Sequence, residues 1–542
     1  MLISLLTTLL LGAFAEVHNP RIPVIVDRPY NIISEIRIPL SQAAEVDGVL
    51  ELSLDGIPRK AVRSVRLMYT GTAKPLYSGT RCNVFRQHFN RWVGGWSLWN
   101  DKDYALELAR CRPAKEGPVV LPFHTPLVAD NNYLYVSLEI DSRKADLAEE
   151  FSCGISSISL DDGSGARLLE LRQNGFTERR LGVAVRNYGW DGVDTYRIPG
   201  LVRSVKGTLV AAYDIRYDSS FDLNGDIDIG VSRSTDGGRT WEKMRVAMDM
   251  GEAGGLPQGQ NGIGDPCILS DETTGDLYIS GVWAHGHGGA TVTLDSRSGM
   301  DPIDAGQMVI VRSTDDGKTW SAPVNITAQI KDPSEICSFQ GPGAGITMQD
   351  GTLVFPAQWW NADKKPGAGI VYSRDHGKTW HRSSSVPNTN ESQVAEISPG
   401  ILMLSMRTFG VNNPYRRVFI SKDMGETWQP HPSDNTLIDP VCQASLLKVP
   451  AGENILRQDL LFFSNPASGT NERTHFTLRA STDLGMTWPF SMMLDEEFGW
   501  GYGCIAPVDE ETVGVLYESS TAQIVFQKIK IRDLVPAPGN NP

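Results

Sequence analysis

Five copies of one eight-residue pattern, Ser-x-Asp-x-Gly-x-Thr-Trp, constrain the fold of this chain more than any other feature. They are Ser234-Thr-Asp236-Gly-Gly238-Arg-Thr240-Trp241, Ser313-Thr-Asp315-Asp-Gly317-Lys-Thr319-Trp320, Ser373-Arg-Asp375-His-Gly377-Lys-Thr379-Trp380, Ser421-Lys-Asp423-Met-Gly425-Glu-Thr427-Trp428 and Ser481-Thr-Asp483-Leu-Gly485-Met-Thr487-Trp488. Successive copies begin 79, 60, 48 and 60 residues apart, the length of one four-stranded sheet with loops of variable size. Each copy has the chemistry of a hairpin turn. Asp bonds nearby backbone and tolerates the left-handed region, Gly supplies a positive φ, and Trp pins the turn to a core. An apolar strand precedes each one, as in Gln307-Met-Val-Ile-Val311. Five marked sheets and one unmarked sheet predict a six-bladed β-propeller over residues 181–542 of an all-β protein.

Residues 17–180 carry no copy of the pattern. Runs such as Gly48-Val-Leu-Glu-Leu-Ser-Leu54 and Asn132-Tyr-Leu-Tyr-Val-Ser-Leu-Glu-Ile140 alternate with period two, the mark of half-buried strands, and predict a β-sandwich. Before it, residues 1–15 form one apolar run that ends in Ala13-Phe14-Ala15. This reads as a signal peptide, too short to span a bilayer comfortably, and no other segment could span one. Export to the periplasm or the exterior is therefore expected. No Cys follows the cleavage pattern, so a lipid anchor is not. The seven cysteines, at 82, 111, 153, 267, 337, 442 and 504, include no C-x-x-C pair. An odd, scattered set of this kind argues for small buried side chains rather than a disulfide framework.

The formal net charge is −14 and no Lys/Arg-rich run occurs, which excludes a nucleic-acid footprint and disfavours anionic membranes. Any anionic ligand would need cations concentrated locally.

The octets resemble the Asp boxes of the sialidase family, where they lie on turns away from the active site and are structural. Non-catalytic propellers carry them too. A second motif, Tyr196-Arg197-Ile198-Pro199, resembles the F/Y-R-I-P sequence that opens the catalytic propeller of sialidases. Over roughly residues 181–530 the chain is similar to bacterial exo-sialidases of glycoside hydrolase family 33. The N-terminal region looks like the accessory domain of some members, either a carbohydrate-binding module or a structural cap.

That resemblance implies a chemistry that can be checked against the residues. Sialic acid carries a carboxylate on its anomeric carbon, and Arg binds carboxylate with a planar fork that stays charged. The family places three arginines on three blades, here matching Arg197, Arg407 and Arg473, with Arg479 as competitor for the third. An anionic nucleophile would be repelled by the same carboxylate, which suits the sialidases' use of tyrosine. A phenol needs a base to take its proton. The matching pair is Tyr502, in Gly499-Trp-Gly-Tyr502-Gly, and Glu391, in Asn390-Glu391-Ser-Gln-Val, with Glu396 as the nearby alternative. The family acid/base is an Asp on a loop after the first arginine, here Asp222, beside Asp218, Asp226 and Asp228. The glycines around Tyr502 suggest close approach of a ligand.

In supporting roles, Arg216 would contact a ring hydroxyl and Asp265 would line the pocket near the N-acetyl group. Glu518 would pair with Arg197. No metal or cofactor is required; His285 and His287 form only a weak ligand pair. The sequons at Asn325 and Asn390 read as chance matches. The implied activity is hydrolysis of terminal sialic acid from glycoproteins, glycolipids and oligosaccharides with retention. A trans-sialidase, an intramolecular trans-sialidase and a non-catalytic sialoglycan-binding propeller remain as alternatives. Oligomeric state is not indicated.

Overall fold

The computed structural model describes residues 14–72, 106–222, 225–285 and 292–536. Cys82 and His287 lie outside these residues, as does nearly all of the apolar N-terminal run. The chain divides into two units at Gly182/Val183, two residues beyond the expected boundary.

The first unit is a β-sandwich. One sheet holds the strands Phe14–His18, Asn31–Leu40, Val62–Tyr69, Leu106–Cys111, Asp130–Ile140 and Glu170–Gln173; the other is built on Ala44–Asp55, Val119–Leu127, Glu150–Asp161 and the start of Thr177–Arg186. Strand Val119–Leu127, not singled out in the sequence, alternates most cleanly. Val119, Leu121, Phe123, Thr125 and Leu127 are buried, and the residues between them are exposed.

The second unit comprises six antiparallel sheets in sequence order. The first blade holds Thr195–Arg203, Leu209–Arg216, Ile227–Ser234 and Arg245–Met248. Four more follow, opening with the strands Asn261–Ser270, Cys337–Gln340, Thr389–Ser398 and Ser445–Val449. The sixth contains Gly503–Asp509, Thr512–Tyr517 and Ile524–Lys530, and its outer strand is Val183–Arg186 from the start of the unit. Opening strands of neighbouring blades pack on one another, except that Thr389–Ser398 of the fourth meets Leu353–Trp360 of the third; Gly503–Asp509 of the sixth packs on Thr195–Arg203 of the first. The ring is closed, and the fold is a six-bladed propeller. Its core lies between blades. Val210, Ile229, Ile268 and Ile279 fill the space between the first and second; Tyr196, Tyr213, Leu516 and Phe526 fill that between the sixth and first.

Each octet forms the turn between the third and fourth strands of a blade, with one bonding pattern. The Ser hydroxyl accepts the N–H of the box glycine at 2.7–2.9 Å in all five copies. One Asp oxygen accepts the Thr N–H, and the other accepts the Thr hydroxyl at 2.6 Å. The residue in the left-handed region is not the Asp but the one after it: Asp316, His376, Met424 and Leu484 have φ between 57° and 70°. The Asp is occupied by its acceptor role, so the next residue makes the bend. That residue also reaches the preceding blade. Asp316 accepts bonds from Ser204, Thr208 and Arg233, and His376 bonds Asp271. The box tryptophans are half-buried except Trp380, which packs on Phe355. The sixth blade lacks a box for a topological reason. Its fourth strand comes from the other end of the unit, so no turn joins it to the third.

Six cysteines are free, all buried except Cys111, which is half-buried. No described helix is long and apolar enough to cross a membrane.

Candidate active site

Three opening strands carry a bulge where a predicted site residue sits. In the first blade the register shifts between Arg197 and Gly200, in the second between Gly264 and Cys267, and in the fourth between Thr389 and Ser392. An extra residue breaks the ladder and re-aims side chains. In two of the bulges the residue before a proline is left-handed: Ile198 before Pro199 has φ 57° and Asp265 before Pro266 has φ 54°. A β-branched residue held there costs on the order of 1–3 kcal/mol, and proline fits because a bulge leaves its missing N–H unneeded. The bulges place Arg197, Asp265 and Glu391 in the lining of one cavity of about 430 Å³.

That cavity is lined by Arg197, Asp222, Asp265, Glu391, Arg407, Arg473 and Tyr502 together with Phe339, Gln358, Trp360, Asn390, Phe409, Asn471, Phe498 and Trp500. All three predicted arginines converge, and they answer the charge puzzle of an acidic chain. Arg197 is gripped from behind by Glu518: Nε and Nη2 donate to its carboxylate at 2.9 and 3.1 Å. The same carboxylate accepts the N–H of Ile198 at 2.9 Å and of Tyr502 at 3.0 Å. Burial alone would lower the pKa of Arg197; the Glu518 carboxylate more than reverses this. Arg473 donates to the Trp500 carbonyl at 2.9 Å. Its competitor Arg479 lies in the strand Phe476–Ser481 and bonds Asn465, away from the cavity lining.

Tyr502 is 6% exposed and donates a short hydrogen bond to Glu391. Arg407 Nη1 donates to Glu391 at 2.7 Å and to the Tyr502 hydroxyl at 3.2 Å. Burial, then the neighbouring Glu391 carboxylate, push the phenol well above its usual pKa. Burial would raise Glu391, but Arg407 beside it brings it below the ordinary range. The pair therefore rests as neutral phenol and charged carboxylate, with the phenolic O–H donating to Glu391. Glu396 instead caps Gln349 and Gly400 on the surface. The glycines around Tyr502 serve the protein rather than a ligand. A side chain at Gly499 would strike the Glu518 carbonyl, and one at Gly501 (φ 85°) would lie 2.6 Å from Pro466.

Asp222 lines the same cavity, its side chain half-exposed. It accepts from Arg216 Nη1 at 2.6 Å and lies 3.8 Å from Arg197. Burial would raise its pKa, but Arg216 and Arg197 hold it below the usual carboxylate range. Arg216, expected at a ring hydroxyl, is held by protein carboxylates. It is 1% exposed and absent from the lining, because Asp214, Asp222 and the Ser220 carbonyl take its donors. Burial and the like charge of Asp214 push the Asp265 carboxyl, which faces the cavity, well above its usual pKa. Asn390 is buried in the wall, which is no place for a glycan. His285 bonds the Gln260 carbonyl.

Sequence reasoning missed Asp214 and Trp500, although Trp500 sits inside the quoted Gly499-Trp-Gly-Tyr502 and Asp214 lies two residues before Arg216. Trp500 stacks its ring 4.4 Å from the Arg197 guanidinium. It also missed the wall of Phe339, Gln358, Trp360 and Phe409, which no local motif marks.

Fold and cavity together define a propeller with an arginine-lined anion site beside a tyrosine–carboxylate pair. Known proteins narrow this class. The family model "BNR repeat-like domain" matches residues 207–512, and "N-terminal domain of BNR-repeat neuraminidase" matches residues 13–164. A sialidase of Bacteroides fragilis is 42% identical over 96% of this chain and 95% of its own length. A sialidase of Micromonospora viridifaciens is 35% identical over 64% of this chain and 52% of its own. Among solved structures, "Hadza microbial sialidase Hz136" superposes with a TM-score of 0.87 at 42% identity, covering 96% of this chain and all of that one. The chain belongs to the BNR-repeat sialidases, of the glycoside hydrolase family 33 type. Its activity is that class's exo-α-sialidase hydrolysis, and transfer or mere glycan binding is not favoured.

Proposed function

We propose that this enzyme cleaves terminal sialic acid by double displacement, with Tyr502 as nucleophile. Arg197, Arg407 and Arg473 receive the carboxylate. Tyr502 attacks the anomeric carbon while its proton passes to Glu391. As the glycosidic bond breaks, Asp222 gives a proton to the leaving oxygen. A water then attacks the same carbon from the vacated side and yields its proton to Asp222. The phenolate leaves and recovers its proton from Glu391. Two inversions retain the α configuration. The observation that carries this reading is the short Tyr502–Glu391 bond with Arg407 bridging both. A base so close allows the phenol to react without first existing as a free phenolate.

The test is a fluorinated sialoside with a good leaving group, which should trap the intermediate. Mass spectrometry of a digest should place the label on the peptide carrying Tyr502, and Tyr502→Phe should abolish it while the variant still binds sialic acid. A label elsewhere, or β-sialic acid as first product, overturns the mechanism.

The sialylated glycans of glycoproteins, gangliosides and free oligosaccharides lie outside the cytoplasm, which fits export directed by the apolar N-terminal run. Cleavage after Ala15 would keep the pairing of Glu16 with Arg37 in the first sheet. The intact mass of protein recovered from the producing cell should begin at Glu16; retention of residues 1–15 on protein outside the membrane would reject this site.

A further inference from the structure

Of the residues expected to touch the sugar, Arg216 is the one absent from the cavity lining. Its guanidinium bridges two carboxylates of different kinds. Asp214 is fully buried and holds Nε and Nη2 at 3.1 and 2.7 Å; Asp222 is half-exposed in the cavity and holds Nη1 at 2.6 Å. Nη1 also donates to the Ser220 carbonyl at 2.8 Å, so the arginine grips the acid's own loop. The other oxygen of Asp214 accepts the N–H of Asp265 at 2.8 Å. The chain Asp265–Asp214–Arg216–Asp222 thus joins the second blade to the acid through Asp214 and Arg216, both buried and absent from the cavity lining.

We propose that Arg216, set by Asp214, is a positioning residue that keeps Asp222 ionised in the empty cavity, and that Asp222 takes up its proton when an anionic sugar enters. This rests on Asp222 being the acid, as argued above. An acid must hold a proton before it can give one, yet Asp222 faces three cations, Arg216, Arg197 and Arg473, and two carboxyl groups, Asp214 and Asp265. Burial raises Asp214 and Asp265, which weakens them as opposing charges. A substrate carboxylate seated on Arg197 and Arg473 cancels the field of those two and adds a negative neighbour, so the proton affinity of Asp222 rises. An uncharged sugar does not supply this, and the acid would stay inert toward it.

The experiment measures pH profiles of kcat and kcat/KM for sialyl-lactose, whose leaving alcohol needs a proton, and for a 4-nitrophenyl sialoside, whose leaving group does not. In the native enzyme the alkaline limb of kcat on sialyl-lactose should lie at higher pH than that of kcat/KM, because only bound enzyme carries the extra charge. Arg216→Lys, which loses the fork, should lower kcat/KM on sialyl-lactose by about tenfold or more near the optimum and far less on the aryl sialoside. It should also move the sialyl-lactose alkaline limb up by about half a pH unit or more. Asp214→Asn removes a negative neighbour and should move that limb down; it serves as well if Arg216→Lys does not fold. Equal losses on both substrates with unmoved limbs would overturn the proposal, since a direct ring contact or a merely structural role affects both sugars alike. Asp222→Ala separates the two ideas. If it too loses equally on both substrates, Asp222 is not the acid; if it spares the aryl substrate while the Arg216 and Asp214 variants shift nothing, only the positioning role fails.

Discussion

The box turns and the cavity use the same side chains in opposite ways. Each box is repeated almost atom for atom: a carboxylate satisfied by a hydroxyl and an N–H four residues ahead, on an exposed rim. Burial tends to raise Asp315 and Asp375, yet the bonds from their own threonines hold both down at about 2. In the cavity no two blades contribute alike. Arg197, Asp265, Gln358, Glu391, Arg473 and Tyr502 come from different blades, or the loops beside them, and their partners differ from one to the next; that of Arg197 is Glu518, 321 residues on. A repeat can propagate a local solution, whereas a single site needs groups that differ. The boxes should therefore govern stability and the cavity chemistry, and the comparison fails where a variant crosses that line.

Glu518→Gln should cross it most. One carboxylate fixes Arg197, the strained Ile198 and the backbone of Tyr502. Removing its charge leaves a buried guanidinium without its counter-ion, and such losses cost about 3–5 kcal/mol. Thermal unfolding should fall by several degrees, and kcat/KM should fall with it, by about a hundredfold. If only one of the two falls, fold and site are more separable than the shared carboxylate implies. Arg407→Ala should stay on the chemical side. A charge-assisted bond is worth about 1.5–3 kcal/mol, so kcat/KM should drop about ten- to a hundredfold or more with little change in Tm. An unfolded variant, or unchanged turnover, would break the division.

How much of this was legible depended on the range over which a pattern acts. The octets announced the propeller because each box closes within eight residues. The alternation of Gly48–Leu54 announced a two-layer β unit for the same reason, whereas Asn132–Ile140, also read as alternating, is buried along most of its length. Tyr196-Arg197-Ile198-Pro199 announced a site because bulge, strain and arginine are consecutive. Legibility failed where a role is assigned in space. Nothing in Tyr213-Asp-Ile-Arg216 says that the arginine faces back toward Asp214 and the acid. The glycines beside Tyr502 record a close approach, but the sequence does not say that the approaching partner is Glu518 and Pro466. Cavity walls such as Trp360 and Phe409, whose rings meet edge to face at 4.7 Å, are aromatic residues of ordinary strands until the ring closes.

The smallest effect should come from Asp375→Ala, and it tests the other half of the comparison. Asp375 accepts from Ser373, Thr379 and two backbone N–H groups, all within its own turn. Truncation leaves these donors free to bond water at a half-exposed rim, so the cost should be about 1–2 kcal/mol rather than a collapse. Turnover per folded molecule should be unchanged, because no member of this box lines the cavity. The effect also has a predictable pH signature. The folded pKa of Asp375, about 2, lies below the ordinary 3.8, so its charged form is the stabilising one. The bonus is fully present above the unfolded value and is lost as pH falls through the folded one. The Tm gap between native protein and variant should be constant above about pH 5 and should narrow as pH falls from about 4 toward 2. A gap that persists at pH 2 would mean that Asp375 acts through packing rather than through its charge. Lost turnover in a folded variant would mean that the boxes reach the site after all.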